Sequence, residues 1–322
     1  MSPQSPFGRQ PPEGAQRPWG GPAGADVSPQ SPFGRQPPEG AQRPWGGPAG
    51  ADASALGGTL VWLRRDLRLS DHAALHAATR EGGGPVWLAF VFDTAILDAL
   101  PRQDRRVELI LEALQDIERR LRARAPGLGL IVRHGDAAQQ LPRLVRELGA
   151  TRLVFAHDEE PYALRRDAAV RQALPGVRVD SVQDVTVFER RQLLTGAGKP
   201  YTVFTPYKNA WLKKLQPADL APHAVAPLAG RLAPLPPGAT GVPTLADIGF
   251  EPTNLHQMKL PTGSTGAQEL LADFLDRIDD YAAARDFPAV KGPSYLSTHL
   301  RFGTVSIRQL ARTAWERAKG GS

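Results

Sequence analysis

The stretch VKGPSYLSTHLRFGTVS, Val290 to Ser306, gathers Ser294, Ser297, Thr298, Gly303, Thr304 and Ser306 around His299 and Arg301. Hydroxyls, backbone amides and positive charge together suit an anion. Standing alone, the stretch reads first as an ordinary polar turn between helices, ahead of an anion site. Two further segments could do chemistry. Arg64-Arg65-Asp66-Leu67-Arg68 follows an apolar run directly. Its three guanidiniums could clamp an anionic ligand bidentately, or could pair with Asp66, Asp71 and neighbouring acids. His157-Asp158-Glu159-Glu160 offers four metal-type donors in a row. Consecutive residues do not converge on one ion without an unusual loop, so the segment is read as a solvated loop entering a helix N-terminus.

The elements that must position these groups alternate along the chain. TLVWLR and PVWLAFVF read as buried strands, LGLIVRHG as a third, and TRLVFA and VRVDSV as the fourth and fifth. Between them lie DHAALHAATR, capped by Ser70-Asp71, and a helical stripe of Val107, Ile110, Leu111, Leu114, Ile117 and Leu121. Leu141, Leu144, Val145 and Leu148 mark a third helix, and PYALRRDAAVRQAL a fourth. Strands alternating with helices predict an α/β fold built on a doubly wound, five-stranded parallel sheet. Such sheets bind ligands at the carboxyl ends of their strands. Farther on, Ala267, Leu270, Leu271, Phe274, Leu275 and Ile278 predict an amphipathic helix, opened by Thr265 and Gln268 at capping-box spacing and closed by Tyr281. Ser306 and Gln309 repeat that box, so the Ser/Thr-rich stretch lies between two helices.

Composition removes whole classes of function. The chain has no cysteine, which excludes disulfides, Cys–zinc sites, thiolate catalysis and iron–sulfur clusters. No apolar run approaches the ~18 residues of a membrane span, and the N-terminus has no secretory apolar core, so a soluble cytoplasmic protein is expected. The formal charge of +6 favours polyanionic partners only weakly. GLGLIV ends its glycine pattern at Val132 and opens a strand, while GAGKPY has Leu193 and Pro200 where a P-loop needs Gly and Ser/Thr. Residues 2–27 recur almost unchanged as 28–53. This tandem 26-residue repeat is rich in Pro and Gly and is expected to be disordered over residues 1–56.

Three segments carry a family likeness. VWLRRDLRLSDHAAL (Val61 to Leu75), GKPYTVFTPYKNAW (Gly198 to Trp211) and RDFPAVKGPSYLSTHLRFGTVS (Arg285 to Ser306) resemble, in order, three signatures of the photolyase/cryptochrome family, most closely its class I cyclobutane-dimer photolyases. His72 stands where Asn is more usual, and Pro293 where Thr is common. The resemblance implies a Rossmann-like antenna domain over residues 57–187, a linker over 188–262, and the first helices of an all-α FAD-binding domain over 263–322. It implies that the anion is the FAD diphosphate, held by Tyr281, Ser294, Tyr295, Leu296 and Ser297, and that no metal takes part.

The implied activity is light-driven repair of cyclobutane pyrimidine dimers by electron transfer from reduced FAD, in a monomer acting on DNA. A cryptochrome-type photoreceptor and a stand-alone nucleotide- or pterin-binding module are the alternatives. Family members also bind a folate or a deazaflavin as antenna. Folate-type members often place Asn-Glu where this chain has Tyr162-Ala163, which counts against folate. The family's flavin walls, relay tryptophans and DNA groove have no counterpart before Ser322, so the chain is expected to be C-terminally incomplete, to hold no catalytic residue and to bind little flavin by itself.

Overall fold

The structure, a computed structural model, describes residues 57–80, 83–225 and 230–320. The expected disorder of residues 1–56 falls wholly outside the described residues. Five strands form the sheet: β1 (Gly58–Leu63), β2 (Val86–Asp93), β3 (Ile131–Gly135), β4 (Ala150–Ala156) and β5 (Arg178–Val182). All neighbours are parallel and the order is β3-β2-β1-β4-β5. The five helices of this part are α1 (Ala73–Arg80), α2 (Thr94–Leu97), α3 (Arg105–Arg122), α4 (Ala137–Glu147) and α5 (Pro161–Gln172). Period-two alternation splits the core between the two faces of the sheet. Val61 and Leu63 pack with Leu75, Val107, Leu114 and Ile117, whereas Leu60 and Trp62 pack with Leu141, Leu144, Val145 and Val170. Coverage on both faces is why the strands read as unbroken apolar runs.

The second part supplies α6 (Phe204–Lys214), α7 (Gly263–Leu275), α8 (Tyr281–Ala284), α9 (Ser297–Phe302) and α10 (Ile307–Gly320). The described chain divides into two units after Arg312, and the geometry below concerns the larger one. In the smaller, Lys319 lies over the Trp315 ring at 4.8 Å.

Three local expectations change. The cap of α1 is His72 and not Ser70-Asp71: Leu75 N donates to His72 Nδ1 (3.2 Å) and His76 N to His72 O (2.9 Å). Nδ1 stands two bonds from Cβ, as the amide oxygen of Asn does, so His replaces Asn as a cap. Because Nδ1 accepts, Nε2 carries the proton, and it faces Asp66 Oδ2 at 3.2 Å. The box at Thr265 and Gln268 does not form, since α7 starts earlier. Its orphan amides at Ser264 (3.1 Å) and Thr265 (3.4 Å) donate instead to Asp116 Oδ2, reaching over from α3. Thr265 Oγ1 donates to Asp116 Oδ1 (3.0 Å), and Gln268 exchanges amide bonds with Gln309. Tyr281 does not close α7, which ends at Leu275; it opens α8. Ser306 does cap α10, accepting from Arg308 N (3.1 Å) and Gln309 N (3.3 Å).

One buried ion pair ties the parts together. Arg68 NH2 donates to both oxygens of Asp184 at 2.7 Å, and the two side chains are 3% and 1% exposed. Asp184 Oδ1 also accepts from Ala73 N (3.0 Å), and its backbone oxygen accepts from Arg308 NH1 (3.1 Å). Removing one member of such a pair strands the other charge, so Arg68→Met is expected to cost about 3–5 kcal/mol in urea unfolding. Arg68→Met with Asp184→Leu is expected to cost less than Arg68→Met alone; an equal or larger loss would show that the hydrogen bonds to backbone dominate.

Burial also holds His72 and His299 below the ordinary imidazole range and His223 down to about 4. The unfolded chain takes up a proton near pH ~6.5 and the folded chain does not, so stability is complete above that pH and falls as pH drops. His72→Asn keeps the capping acceptor without a titrating group. Its melting temperature is expected to fall less between about pH 7 and pH 5 than that of the wild type. Parallel curves would show that His72 contributes nothing to the acid sensitivity.

Candidate functional site

Two arrangements stand out, and α9 belongs to both. The first is the turn Ser294-Tyr295-Leu296-Ser297. Tyr295 has φ +56°, in the left-handed region, and Leu296 follows at φ −85°, ψ 2°. Left-handed then right-handed backbone turns the N–H groups of Tyr295, Leu296 and Ser297 toward one concave side, a nest suited to an anion. Leu296 N also approaches Ser294 Oγ (3.4 Å), while among the described residues the amides of Tyr295 and Ser297 have no acceptor. The Leu296 side chain is buried, so this residue offers its amide alone. Tyr281 lies half-exposed at the start of α8, its ring edge-on to Phe274 at 5.8 Å. The end of α8 backs directly onto the turn: a Cβ at Gly292 would lie 2.7 Å from the Ala284 carbonyl carbon. Arg277, which grips the carbonyls just before the nest, has a buried Nε–H with no acceptor. A diphosphate fits this donor set of amides, hydroxyls and positive charge.

At its other end α9 meets the arginine segment that follows β1. Arg65 Nε donates to Arg301 O (3.2 Å), Leu67 N to Phe302 O (3.1 Å) and Arg68 NH1 to Gly303 O (3.0 Å). Three successive carbonyls at a helix C-terminus are thus satisfied by one loop, where the helix dipole favours positive charge. Gly303 has φ +65°, and a Cβ there would sit 1.9 Å from Arg65 O. The three guanidiniums are therefore spent internally. Arg64 donates to Asp167 (2.6 Å) and to Ala156 O, Arg65 to Asp158 (3.0 Å), and Arg68 to Asp184. The four donors of the acidic loop diverge to separate partners. His157 faces Glu189 (2.9 Å), Asp158 takes Arg65, Glu159 takes Arg190 (3.0 Å) and Glu160 takes Arg301 (3.1 Å).

The second arrangement is a cleft of about 530 Å³ at the carboxyl ends of β1 and β2. Apolar walls come from Phe90, Phe92, Ile96, Leu100, Ile110 and Phe302. Around the mouth stand Arg64, Arg65, Arg106, Arg166 and Arg301 against the carboxylates Asp93, Asp158 and Glu160. The Arg64 and Arg166 guanidiniums both lie over the Trp62 ring, at 4.6 and 4.7 Å. Tyr162 donates to Asp93 Oδ2 at 2.6 Å, and burial, then that carboxylate, push its phenol well above the ordinary range, so it acts as a donor. An apolar slot rimmed by paired charges suits a planar aromatic ligand. Sequence reading missed both the Tyr162–Asp93 pair, separated by 69 positions, and the role of Arg277. Only the latter left a signal, the i,i+4 spacing of Asp273 and Arg277.

The family model for DNA photolyase matches residues 59–227. The deoxyribodipyrimidine photo-lyase of Halobacterium salinarum is 36% identical over 278 residues, covering 79% of this chain and 54% of that protein. Its Synechococcus counterpart is 33% identical over 267 residues, covering 79% and 53%. A bacterial class III photolyase from Agrobacterium tumefaciens superposes with a TM-score of 0.69 at 30% identity, covering 82% of this chain and 54% of that one. The chain spans about half the length of the curated relatives it matches. Since the family model spans just over half of the chain and relatives at 33–36% identity cover 79% of it, the chain belongs to the DNA photolyase family.

Proposed function

We propose that this chain forms the α/β domain (57–187), the linker (188–262) and the leading helices of the flavin domain (263–322) of a photolyase that repairs cyclobutane pyrimidine dimers in DNA. The relatives bearing the name deoxyribodipyrimidine photo-lyase support the activity. When bound, reduced FAD supplies the photoexcited electron for dimer cleavage. The chain's own residues bind and orient: the amides of Tyr295, Leu296 and Ser297, with the hydroxyls of Ser294 and Ser297, hold the diphosphate, and Tyr281 stands behind the turn through α8. The cleft at the strand ends takes a second, light-gathering chromophore, a planar aromatic. Tyr162 and Asp93 lie on its wall to read a polar edge. Among the described residues no helix is long and apolar enough to cross a membrane.

The observation that carries the reading is the nest at 295–297, in which the amides of Tyr295 and Ser297 have no acceptor among the described residues. ADP and FAD are therefore expected to bind this chain only weakly and through their phosphates, as read by fluorescence or calorimetric titration, while adenosine does not bind. Ser297→Asp, which sets a carboxylate against the phosphates, is expected to weaken both by about tenfold or more, about the loss that one charged hydrogen bond represents. Equal affinities for ADP and adenosine would overturn the assignment. The repair activity is tested by loss of dimers from UV-irradiated oligothymidine under blue light, in a protein joining this chain to the remaining length of a relative. Dimer loss that is the same in the dark would reject it.

A further inference from the structure

The turn that forms the nest is gripped from behind by a side chain that does not belong to it. Arg277 lies just beyond the end of α7. Its NH1 donates to Gly292 O (3.2 Å) and Pro293 O (3.1 Å), and its NH2 donates to Asp273 Oδ2 (2.7 Å). The other oxygen of Asp273 receives Lys291 Nζ (2.6 Å). The guanidinium also lies over the Phe274 ring (5.3 Å) and the Tyr295 ring (6.0 Å), and the Arg277 side chain is only 18% exposed. One planar group is thus fixed at once by two carbonyls, a carboxylate and two rings.

Peptide geometry makes this grip directional. A trans peptide is planar, so the C=O of residue i and the N–H of residue i+1 point in opposite directions. Among the described residues no peptide is cis. With Pro293 O drawn back onto Arg277, the Ser294 N–H points away from Arg277. Pro293 itself brings neither an N–H nor a hydroxyl to the site, and its fixed φ leaves the 293–294 peptide as the next adjustable unit. Arg277 controls that unit. Tyr295 adds a second constraint, since a bulky residue at φ +56° sits in a sparsely populated region and stays there only when its surroundings hold it.

We propose that Arg277 is the positioning residue of the diphosphate site. Clasped by Asp273 with Lys291, it sets the nest amides before any ligand arrives, in a turn where Pro293 offers no hydroxyl of its own. The role rests on the reading that residues 294–297 take the FAD diphosphate. Preorganisation lowers the ordering cost of binding, so its loss weakens every ligand that carries the phosphates and none that lacks them. A lysine ammonium cannot bridge two carbonyls and a carboxylate as a guanidinium fork does. Charge alone therefore does not restore the function.

The test uses the chain as it stands, with ADP, FAD and adenosine as probes and Arg277→Gln and Arg277→Lys as variants. Both variants are expected to weaken ADP and FAD by a similar factor, about tenfold or more. Adenosine is expected to remain without measurable binding in both variants, and the thermal melting of the sheet to stay unchanged. The ¹⁵N order parameters of residues 294–297 in the ligand-free chain are expected to fall in both variants, those of β1 and β4 staying constant. Wild-type affinity in Arg277→Lys would overturn the proposal by showing that charge suffices, and wild-type affinity in Arg277→Gln would overturn it outright. A wild-type chain that binds neither ADP nor FAD would reject the diphosphate reading and this role with it. The order parameters would then report separately on whether Arg277 holds the turn.

Discussion

The short helix α9 can exist only because its C-terminal carbonyls are received by the loop after β1. Six residues make fewer than two turns, too few to hold together alone, since helix nucleation is unfavourable until propagation repays it. Arg65, the Leu67 amide and Arg68 take the oxygens of residues 301, 302 and 303, and the same Arg68 is locked to Asp184 in the interior. The left-handed Gly303 allows the approach, because any side chain there would overlap the Arg65 carbonyl. The arginine segment and the Ser/Thr-rich stretch are thus two halves of one joint. Through it the sheet fixes where Ser297, the first residue of α9, must lie.

A second route from the sheet reaches the same turn. Asp116 on α3 receives the first amides of α7, so that helix starts at a point fixed by the α/β core. Thirteen residues later α7 ends, and Asp273 and Arg277 beside that end grip the backbone at 292–293. The nest is therefore held from both sides, by α9 through the loop after β1 and by α7 through α3. A backbone anion site needs this, because free amides have no side-chain rotamer to hold them in place and owe their direction entirely to the peptide planes around them.

Arg301 and Phe302 line the cleft at the strand ends while Ser297, four positions earlier, borders the nest. A single helix thus lies between the two candidate ligand sites. It also explains how the charges are shared. Arg301 pairs with Glu160, and Arg65 with Asp158, so the mouth of the cleft is an ion-pair network instead of a set of free cations. The largest cleft, beside β5, is likewise cationic, but Arg152 and Arg178 there are both engaged with Asp180.

Local patterns in the sequence determined the sheet and its crossover helices. Strand and helix periods, the absence of cysteine and the failure of the P-loop spacing are properties of neighbouring residues, and they hold wherever the chain goes. Tertiary structure decided what the polar residues do. Whether Arg64, Arg65 and Arg68 bind a ligand or bind the protein depends on Asp167, Asp158 and Asp184, which lie roughly a hundred positions away. The cap of α7 passed from Thr265 to Asp116, 149 positions earlier, because a carboxylate already held in the core needs no further ordering to meet an amide. His72 capped α1 where Ser70-Asp71 was expected, since Asp71 Oδ1 is turned to accept from His223 N (2.7 Å). Apolar periodicity is written in adjacent residues, whereas the partner of a buried charge is chosen by where the fold brings the opposite charge.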